Sequence, residues 1–261
     1  MKKPSAAIVH YSAPPTVGGV EVVIKAHVEI LAEMGYPVTV VAGSGESSAL
    51  PAQAELEKFP LLDSQHPKII EAVEALSEGH VPENFDALVE QLVQTLTPVL
   101  DSVDNVIVHN IFTKRFNLPL TAALHRLLDD GTIRHCIAWC HDFGWTSESS
   151  RAHLHAGMPW DLLRTYRPEI TYVVVSRERQ QQLAELLDRP RDEIRVIYNG
   201  VKPQNLLGLS DEGAALVERL GVWSRDLILL MPVRVTRQKN IELALRVMAA
   251  LKERIARPLL V

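Results

Sequence analysis

Short apolar runs rich in valine and isoleucine recur along this chain, and most of them are separated by stretches with helical periodicity. Such runs are apolar on both faces, so the strands that they form must be covered on both sides. Strands that alternate with helices form a parallel sheet. We therefore predict an α/β fold with a Rossmann-like parallel sheet flanked by helices. The predicted strands are AAIVHY, PVTVVAG, NVIVHN, RHCIAWC, TYVVVS, IRVIYNG and LILLMPVR.

The first predicted helix follows the first strand and has a clear helical period. Its apolar face holds Val20, Val23, Ile24, His27, Ile30, Leu31 and Met34, and its polar face holds Glu21, Lys25, Glu29 and Glu33. Gly35 is expected to end this helix. Further helices are predicted over 83–100, over 118–128 and after Ser176, which is expected to cap its helix. Residues 43–70 lack a clean period, so we predict an irregular surface excursion there.

Composition and charge exclude several classes of protein. The chain is 47% hydrophobic and 23% charged, with no apolar stretch of membrane length. Its net charge of −5 does not favour nucleic acid as a partner. The N-terminal apolar run is short and leads directly into a proline and glycine loop, so we predict a first strand in a cytoplasmic protein. Cys136 and Cys140 are expected to be buried free thiols on one face of a strand, since two cysteines do not complete a zinc site.

A break in the strand and helix pattern follows the run VIYNGV. The interruptions are at Pro203, Gly208, Gly213 and Gly221. We predict a first domain over 1–205, an interdomain linker over 206–225 and the beginning of a second Rossmann-like domain over 226–261. The run RPLLV at the end of the chain reads as the start of another strand, so we expect the second domain to be truncated.

Gly18 and Gly19 lie between the first strand and the first helix. Backbone N–H groups at a helix N-terminus bind anions, and glycine lets a ligand approach closely. A dinucleotide site needs a third glycine, but Val22 and Val23 follow here, which disfavours a nicotinamide-dependent dehydrogenase. The alternative is a tight turn without a ligand.

Polar residues follow two other predicted strands. His109 and Asn110 end one strand, and His141 and Asp142 follow another. Because the carboxyl ends of parallel strands meet at one edge of a sheet, we expect these residues to lie near the glycine loop. They are candidates to bind a hydroxylated ligand or to share a proton. The alternatives are a capping Asp142 beside a solvated His141, and a structural His109.

Arg234 and Lys239 lie on the predicted loop between a strand and a helix of the second domain. Two cations beside a helix N-terminus would suit a diphosphate, although an exposed basic loop is the alternative. Arg237, between them, is expected to face solvent. His153 and His155 have no third ligand at a suitable spacing, so we predict no metal site.

Six stretches, in order and at matching spacing, resemble the retaining glycosyltransferases of family 4, which have the two-domain GT-B fold. The resemblance spans nearly the whole chain and is weakest over 44–90. It implies transfer of a sugar from a nucleotide-sugar donor to an acceptor hydroxyl with retention of configuration, without a metal or another cofactor. The six stretches are APPTVGGVEVVIKAHVEILAEMGYPVTVVAG, VIVHN, CHDFGW, YVVVSRERQQQLAELL, IRVIYNGV and PVRVTRQKNIELALRVMAAL.

The same resemblance implies roles for the candidate residues. His141 matches the active-site histidine near the transferred sugar, so it is the catalytic candidate. The phosphate-binding candidates are Gly18, Gly19, Arg234 and Lys239, and the acceptor-side candidates are His109, Asn110 and Asp142. The sequence departs from the family pattern at Tyr198, Lys202 and Pro232. The family's paired glutamates lie beyond Val261, so we expect this chain to be inactive or nearly so by itself.

Two other classes of function remain open from the sequence. One is a non-catalytic module that binds a glycan or another acceptor, and the other is a different GT-B enzyme, such as a sugar-nucleotide epimerase or a sugar phosphorylase. The expected partners are a nucleotide sugar and an acceptor, which is a glycan, a lipid or a small molecule. Some members of the family dock peripherally on membranes, but the net charge of −5 gives no support for such docking.

Overall fold

A computed structural model describes residues 3–201 and 203–261, so Lys202 lies outside the described residues. The chain divides into two compact units, with the division after Gly200. The strands of the first unit are β1 (Ala6–Val9), β2 (Val38–Ala42), β3 (Ala54–Lys58), β4 (Asn105–His109), β5 (Cys136–Cys140), β6 (Ile170–Val174) and β7 (Arg195–Val196). They form one parallel sheet in the order β3-β2-β1-β4-β5-β6-β7, which confirms the predicted fold class.

Helices cover both faces of this sheet. They are α1 (Gly19–Glu33), α2 (Pro67–Ser77), α3 (Phe85–Leu100), α4 (Leu118–Asp129), α5 (Glu148–Arg151) and α6 (Arg177–Leu187). On one face, Ile24 and Val28 of α1 pack with Ile8 of β1. A larger core on the other face joins α3, α4 and α6 to the sheet. No helix in the described part of the chain is both long enough and apolar enough to cross a membrane.

The prediction of an irregular excursion over 43–70 was wrong in part. This region contains β3, which pairs in parallel with β2 and forms one edge of the sheet. Its sequence, AELEK, is charged and largely solvent-accessible, as an edge strand can be, so it lacks the apolar run that identified the other strands. Leu62 and Ile69 from the same region are fully buried.

The predicted apolar face of α1 was also inaccurate at its margins. Val28, which the predicted face omitted, is fully buried, whereas Ile30 and Met34 are about half exposed. The helix contacts the sheet along a narrow stripe through Ile24 and Val28, so apolar residues to either side reach solvent. Gly35 ends the helix as predicted, with a φ of +74°.

Ser176 caps α6 as predicted, because its hydroxyl accepts a hydrogen bond from the backbone N–H of Arg179 at 3.1 Å.

Cys136 and Cys140 are buried and free, and both belong to the larger core. Burial raises the pKa of the Cys140 thiol to about 12. Both side chains therefore act as small core residues.

The second unit contains α7 (Pro203–Leu206), α8 (Asp211–Arg219), β8 (Leu227–Leu229), α9 (Ile241–Leu251) and β9 (Pro258–Leu260). β8 and β9 pair in parallel and are joined through α9, as the strand, loop, helix and strand pattern predicts. The segment over 206–225, predicted to be a linker, holds α8, whose N-terminus is capped by the Ser210 hydroxyl.

Gly43, directly after β2, is required by close backbone packing. A Cβ atom at this position would lie 2.1 Å from the backbone nitrogen of Asp63. We expect Gly43→Ala to lower the free energy of unfolding by roughly 1–3 kcal/mol, since the clash requires a backbone shift. Urea unfolding would measure the change. Gly19→Ala is the matched control, because no atom lies within 4 Å of its added Cβ; equal losses for the two variants would contradict the prediction.

Candidate active site

A cleft of about 380 Å³ opens at the carboxyl edge of the first unit's sheet. The loops after β1, β4 and β5 and the N-terminus of α1 contribute to its walls. The lining residues used below are His10, Gly19, Glu21, Asn110, Lys114 and Asp142. Open α/β sheets bind their ligands at this edge, so the cleft is the candidate active site of this unit.

The two glycines differ in what surrounds them. Gly18 is the N-cap of α1, and a Cβ atom there would lie 2.1 Å from a carboxylate oxygen of Glu21. Gly19 lines the cleft and has open space where a Cβ would be. A ligand can therefore approach the start of α1 at Gly19, while Gly18 makes room for Glu21.

Glu21 is a site residue that the sequence pattern missed, because its helical position is on the polar face of α1. Its side chain is only 12% exposed. One carboxylate oxygen accepts a hydrogen bond from the Ser12 hydroxyl at 2.6 Å and lies 3.8 Å from Nε2 of His10. A carboxylate is favourable beside a helix N-terminus, but it repels a second anion. This end of the cleft therefore suits hydroxyl groups better than a diphosphate.

Four histidines form a largely buried imidazole cluster beside the cleft: His10, His27, His109 and His141. Nδ1 of His10 is 2.9 Å from the carbonyl oxygen of His109, and Nδ1 of His109 is 3.1 Å from Nε2 of His141. The centre of the His27 ring lies 5.3 Å from the centre of the His109 ring. Strand ends and α1 thus bring together histidines that are far apart in the sequence.

Burial keeps the imidazole cluster uncharged. It lowers the pKa of His141 to about 4, although Asp142 acts in the opposite direction. The pKa of His109 is well below its usual value, first through burial and then through the neighbouring histidines. Burial also lowers the pKa values of His10 and His27. At neutral pH these side chains are therefore hydrogen-bonding groups without charge.

Acidification is expected to destabilise the fold because of these histidines. Their folded pKa values are below the unfolded value of about 6.5, so the unfolded chain takes up protons first as the pH falls. Stability should decrease between about pH 6.5 and pH 4, by up to about 3 kcal/mol for His141 alone. Urea unfolding across this range would measure the slope. His141→Gln should reduce the change of the free energy of unfolding with pH. His153→Gln, a substitution of an exposed histidine, is the control and should leave that change as it is. A free energy of unfolding that does not vary with pH would contradict the expectation.

Asn110 connects the ends of β4 and β5. It adopts a φ of +59°, and its side-chain oxygen accepts hydrogen bonds from the backbone N–H groups of His141 at 2.7 Å and Asp142 at 3.2 Å. The Asp142 carboxylate pairs with the Arg179 guanidinium of α6 at 2.9 Å. The predicted group of His109, Asn110, His141 and Asp142 is thus brought together, but His109 is fully buried behind the others.

Lys114 is a cation of the cleft that sequence reasoning did not identify. Its ammonium lies 4.9 Å from the centre of the Phe116 ring. Partial burial lowers its pKa, and the nearby Asp142 carboxylate partly reverses this effect. Only the three-dimensional position of the loop after β4 marks this lysine, since nothing in its local sequence does.

Arg234 and Lys239 are exposed on the loop between β8 and α9 in the second unit. Lys239 comes directly before Asn240, the N-cap of α9. This is the predicted position between a strand and a helix, and the phosphate-binding role of the two residues stays a prediction.

Within residues 3–201 and 203–261, no group of three or more histidine, cysteine or acidic side chains is arranged to hold a metal ion.

The first unit is therefore a Rossmann-like α/β unit with a polar cleft at the carboxyl edge of its sheet. The family model for Glycosyltransferase Family 4 matches residues 17–205, which include most of this cleft. The chain belongs to this family, which confirms the resemblance found in its motifs.

Two curated relatives match part of this chain. Mannosylglucosylglycerate synthase of Petrotoga mobilis is 26% identical over 178 residues, which cover 67% of this chain and 40% of the relative. An uncharacterized glycosyltransferase of Methanocaldococcus jannaschii is 32% identical over 113 residues, which cover 42% of this chain and 28% of the relative. The aligned part of this chain thus spans less than half the length of either relative.

Two solved glycosyltransferase structures also match this chain. WaaG, a glycosyltransferase involved in lipopolysaccharide biosynthesis, gives a TM-score of 0.48 at 12% identity, over 98% of this chain and 62% of that chain. A glycosyltransferase from Rickettsia africae gives a TM-score of 0.44 at 16% identity, over 100% of this chain and 60% of that chain.

Proposed function

We propose that the gene product carrying this chain transfers a sugar from a nucleotide-sugar donor to an acceptor hydroxyl, with retention of configuration. The observation that carries the proposal is a cleft lined by polar and charged side chains, most of which lies in the region that matches Glycosyltransferase Family 4. Retention rests on the resemblance of the motifs to the retaining members of this family. Proton NMR of the product would test it, since the anomeric configuration of the donor should be kept.

The cleft is the proposed acceptor side of the reaction. Nδ1 of His10 faces the carbonyl oxygen of His109, so Nδ1 carries the proton and Nε2 is an acceptor. Glu21 adds a carboxylate acceptor 3.8 Å from that nitrogen. Two acceptors so close together suit the hydroxyl groups of a sugar or another polyol, and Lys114 supplies a donor on the same cleft.

The other candidate residues are assigned roles according to the charge that each one carries at neutral pH or the loop that it holds. Transfer of the sugar leaves a diphosphate with increasing negative charge, which Arg234, Lys239 and the N-terminus of α9 would stabilise. His141 is uncharged at neutral pH, so it would donate a hydrogen bond to the transferred sugar rather than act as an acid. Asn110 holds the loop that carries His141 and Asp142.

Glu21→Gln is expected to raise the KM for the acceptor by about 10-fold and to leave the KM for the donor nearly unchanged, because a charged hydrogen-bond acceptor is lost. Steady-state kinetics with each substrate varied in turn would measure both constants. Glu33→Gln, an exposed substitution on the same helix, is the control and should change neither constant. An equal rise in both KM values would contradict an acceptor-side role for Glu21.

We further propose that these 261 residues alone catalyse little or no transfer, a proposal that rests on the resemblance, which places the family's paired glutamates outside them. A turnover rate equal to that of the whole gene product, measured under the same conditions, would contradict this.

A further inference from the structure

The histidine pair behind the cleft has a defined direction of hydrogen bonding. Nδ1 of His109 and Nε2 of His141 are 3.1 Å apart, and the two rings meet edge to edge with an angle of 27° between their planes. Both imidazoles are buried, and low pKa values keep both neutral. One proton therefore lies between the two nitrogens, and either ring can donate it in principle.

The other nitrogen of His109 decides which ring donates. Nε2 of His109 is buried and has no hydrogen-bond partner among the described residues. If His141 donated, the His109 proton would have to reside on Nε2, which would leave a buried N–H group without an acceptor. If His109 donates from Nδ1, Nε2 carries only a lone pair. Unpaired buried N–H groups are rarer than unpaired acceptors, so the second arrangement is favoured.

From this geometry we propose that His109 is a positioning residue that donates from Nδ1 to Nε2 of His141 and thereby holds His141 as its Nδ1–H tautomer. A histidine nitrogen that accepts a hydrogen bond leaves the proton on the opposite nitrogen of the ring. Nδ1 of His141 has no partner among the described residues, and the adjacent Asp142 lines the cleft. His141 is buried and does not itself line the cleft, so its Nδ1–H group is an unused donor directly beside the cleft.

The packing around His109 prevents its ring from rearranging. His109 is the last residue of β4 and is fully buried. The centres of the His109 and Trp139 rings are 5.9 Å apart, with an angle of 21° between the ring planes. The His27 ring packs beside the His109 ring. Its carbonyl oxygen accepts the Nδ1–H group of His10. The donor is therefore fixed in direction, as preorganised hydrogen bonding requires.

Nitrogen-15 NMR of the labelled chain at neutral pH tests the tautomer directly. Two-bond proton–nitrogen correlations identify which nitrogen of each imidazole is protonated, and His141→Gln assigns the His141 signals by their loss. We expect the proton of His141 on Nδ1 and the proton of His109 on Nδ1. A proton on Nε2 of His141 in the wild-type chain would overturn the proposal without any variant.

Variants at His109 test the positioning role. Asparagine retains an N–H donor close to the place of Nδ1, so His109→Asn should keep His141 as the Nδ1–H tautomer. His109→Asp places a carboxylate acceptor near the position of Nδ1, so the hydrogen bond should reverse and His141 should become the Nε2–H tautomer, if the variant remains folded by circular dichroism. An unchanged tautomer in a folded His109→Asp chain would overturn the proposal, and so would loss of the Nδ1–H tautomer in a folded His109→Asn chain.

The catalytic consequence rests on the proposed function. In the gene product, His109→Leu should lower kcat by about tenfold or more with small changes in either KM, and His109→Asn should restore most of the rate. The NMR measurement needs no turnover. A correct tautomer in an inactive gene product would thus refute the proposed function and leave the positioning of His141 intact.

Discussion

Arg234→Ala in the gene product is expected to lower kcat/KM for the nucleotide-sugar donor by about 100-fold or more, and Lys239→Ala should have a similar effect. Both side chains are exposed on the loop that leads into α9. On the proposed function, they meet negative charge that grows on the diphosphate as the bond to the sugar breaks. Charge-assisted hydrogen bonds to such groups are about twice as strong as neutral ones.

Arg237→Ala is the matched control for these two variants. Arg237 has the same charge, lies on the same loop and is also exposed. Its loss should change kcat/KM by less than about threefold, because a surface cation outside a binding site contributes little. Similar losses for Arg234→Ala and Arg237→Ala would indicate a general effect of positive charge and would contradict a specific phosphate site.

The second large effect is expected at His141. His141→Ala should lower kcat by about 100-fold or more, while the KM values for donor and acceptor change by only a few fold. The reason is that a preorganised N–H donor holds a hydroxyl group of the transferred sugar in the geometry that the transition state requires. Measurement of kcat and both KM values, with each substrate varied in turn, separates this effect from a loss of binding.

His153→Ala provides the control for His141→Ala, since His153 is an exposed histidine outside the cleft. It should retain full activity. Circular dichroism and urea unfolding of both variants would exclude a loss of fold as the cause. A folded His141→Ala enzyme with unchanged kcat would remove His141 from the mechanism.

Much of the fold could be predicted from the sequence because its strands are apolar on both faces. The runs AAIVHY and RHCIAWC correspond to β1 and β5, and the even spacing of Cys136 and Cys140 correctly predicted two buried thiols. The edge strand β3 could not be predicted in this way, because its charged residues reflect solvent contact rather than burial.

The site was only partly predictable, and the reason is geometric. His109, Asn110, His141 and Asp142 follow strand ends, so the rule that ligands bind at the carboxyl edge of a parallel sheet places them together. Glu21 could be predicted only as a residue of the polar face of α1, because helical periodicity describes which face a residue is on and not where a long side chain reaches. Its contact with Ser12 depends on the path of the loop between β1 and α1.

The central claim is that the gene product carrying this chain couples cleavage of a nucleotide sugar to glycoside formation. Incubation with radiolabelled nucleotide sugars and a panel of hydroxylated acceptors, followed by separation of the products, tests it most directly. We expect nucleoside diphosphate and labelled glycoside in equal amounts, and only when an acceptor is present. Epimerised nucleotide sugar without an acceptor, a requirement for inorganic phosphate, or binding without any turnover would each contradict the account.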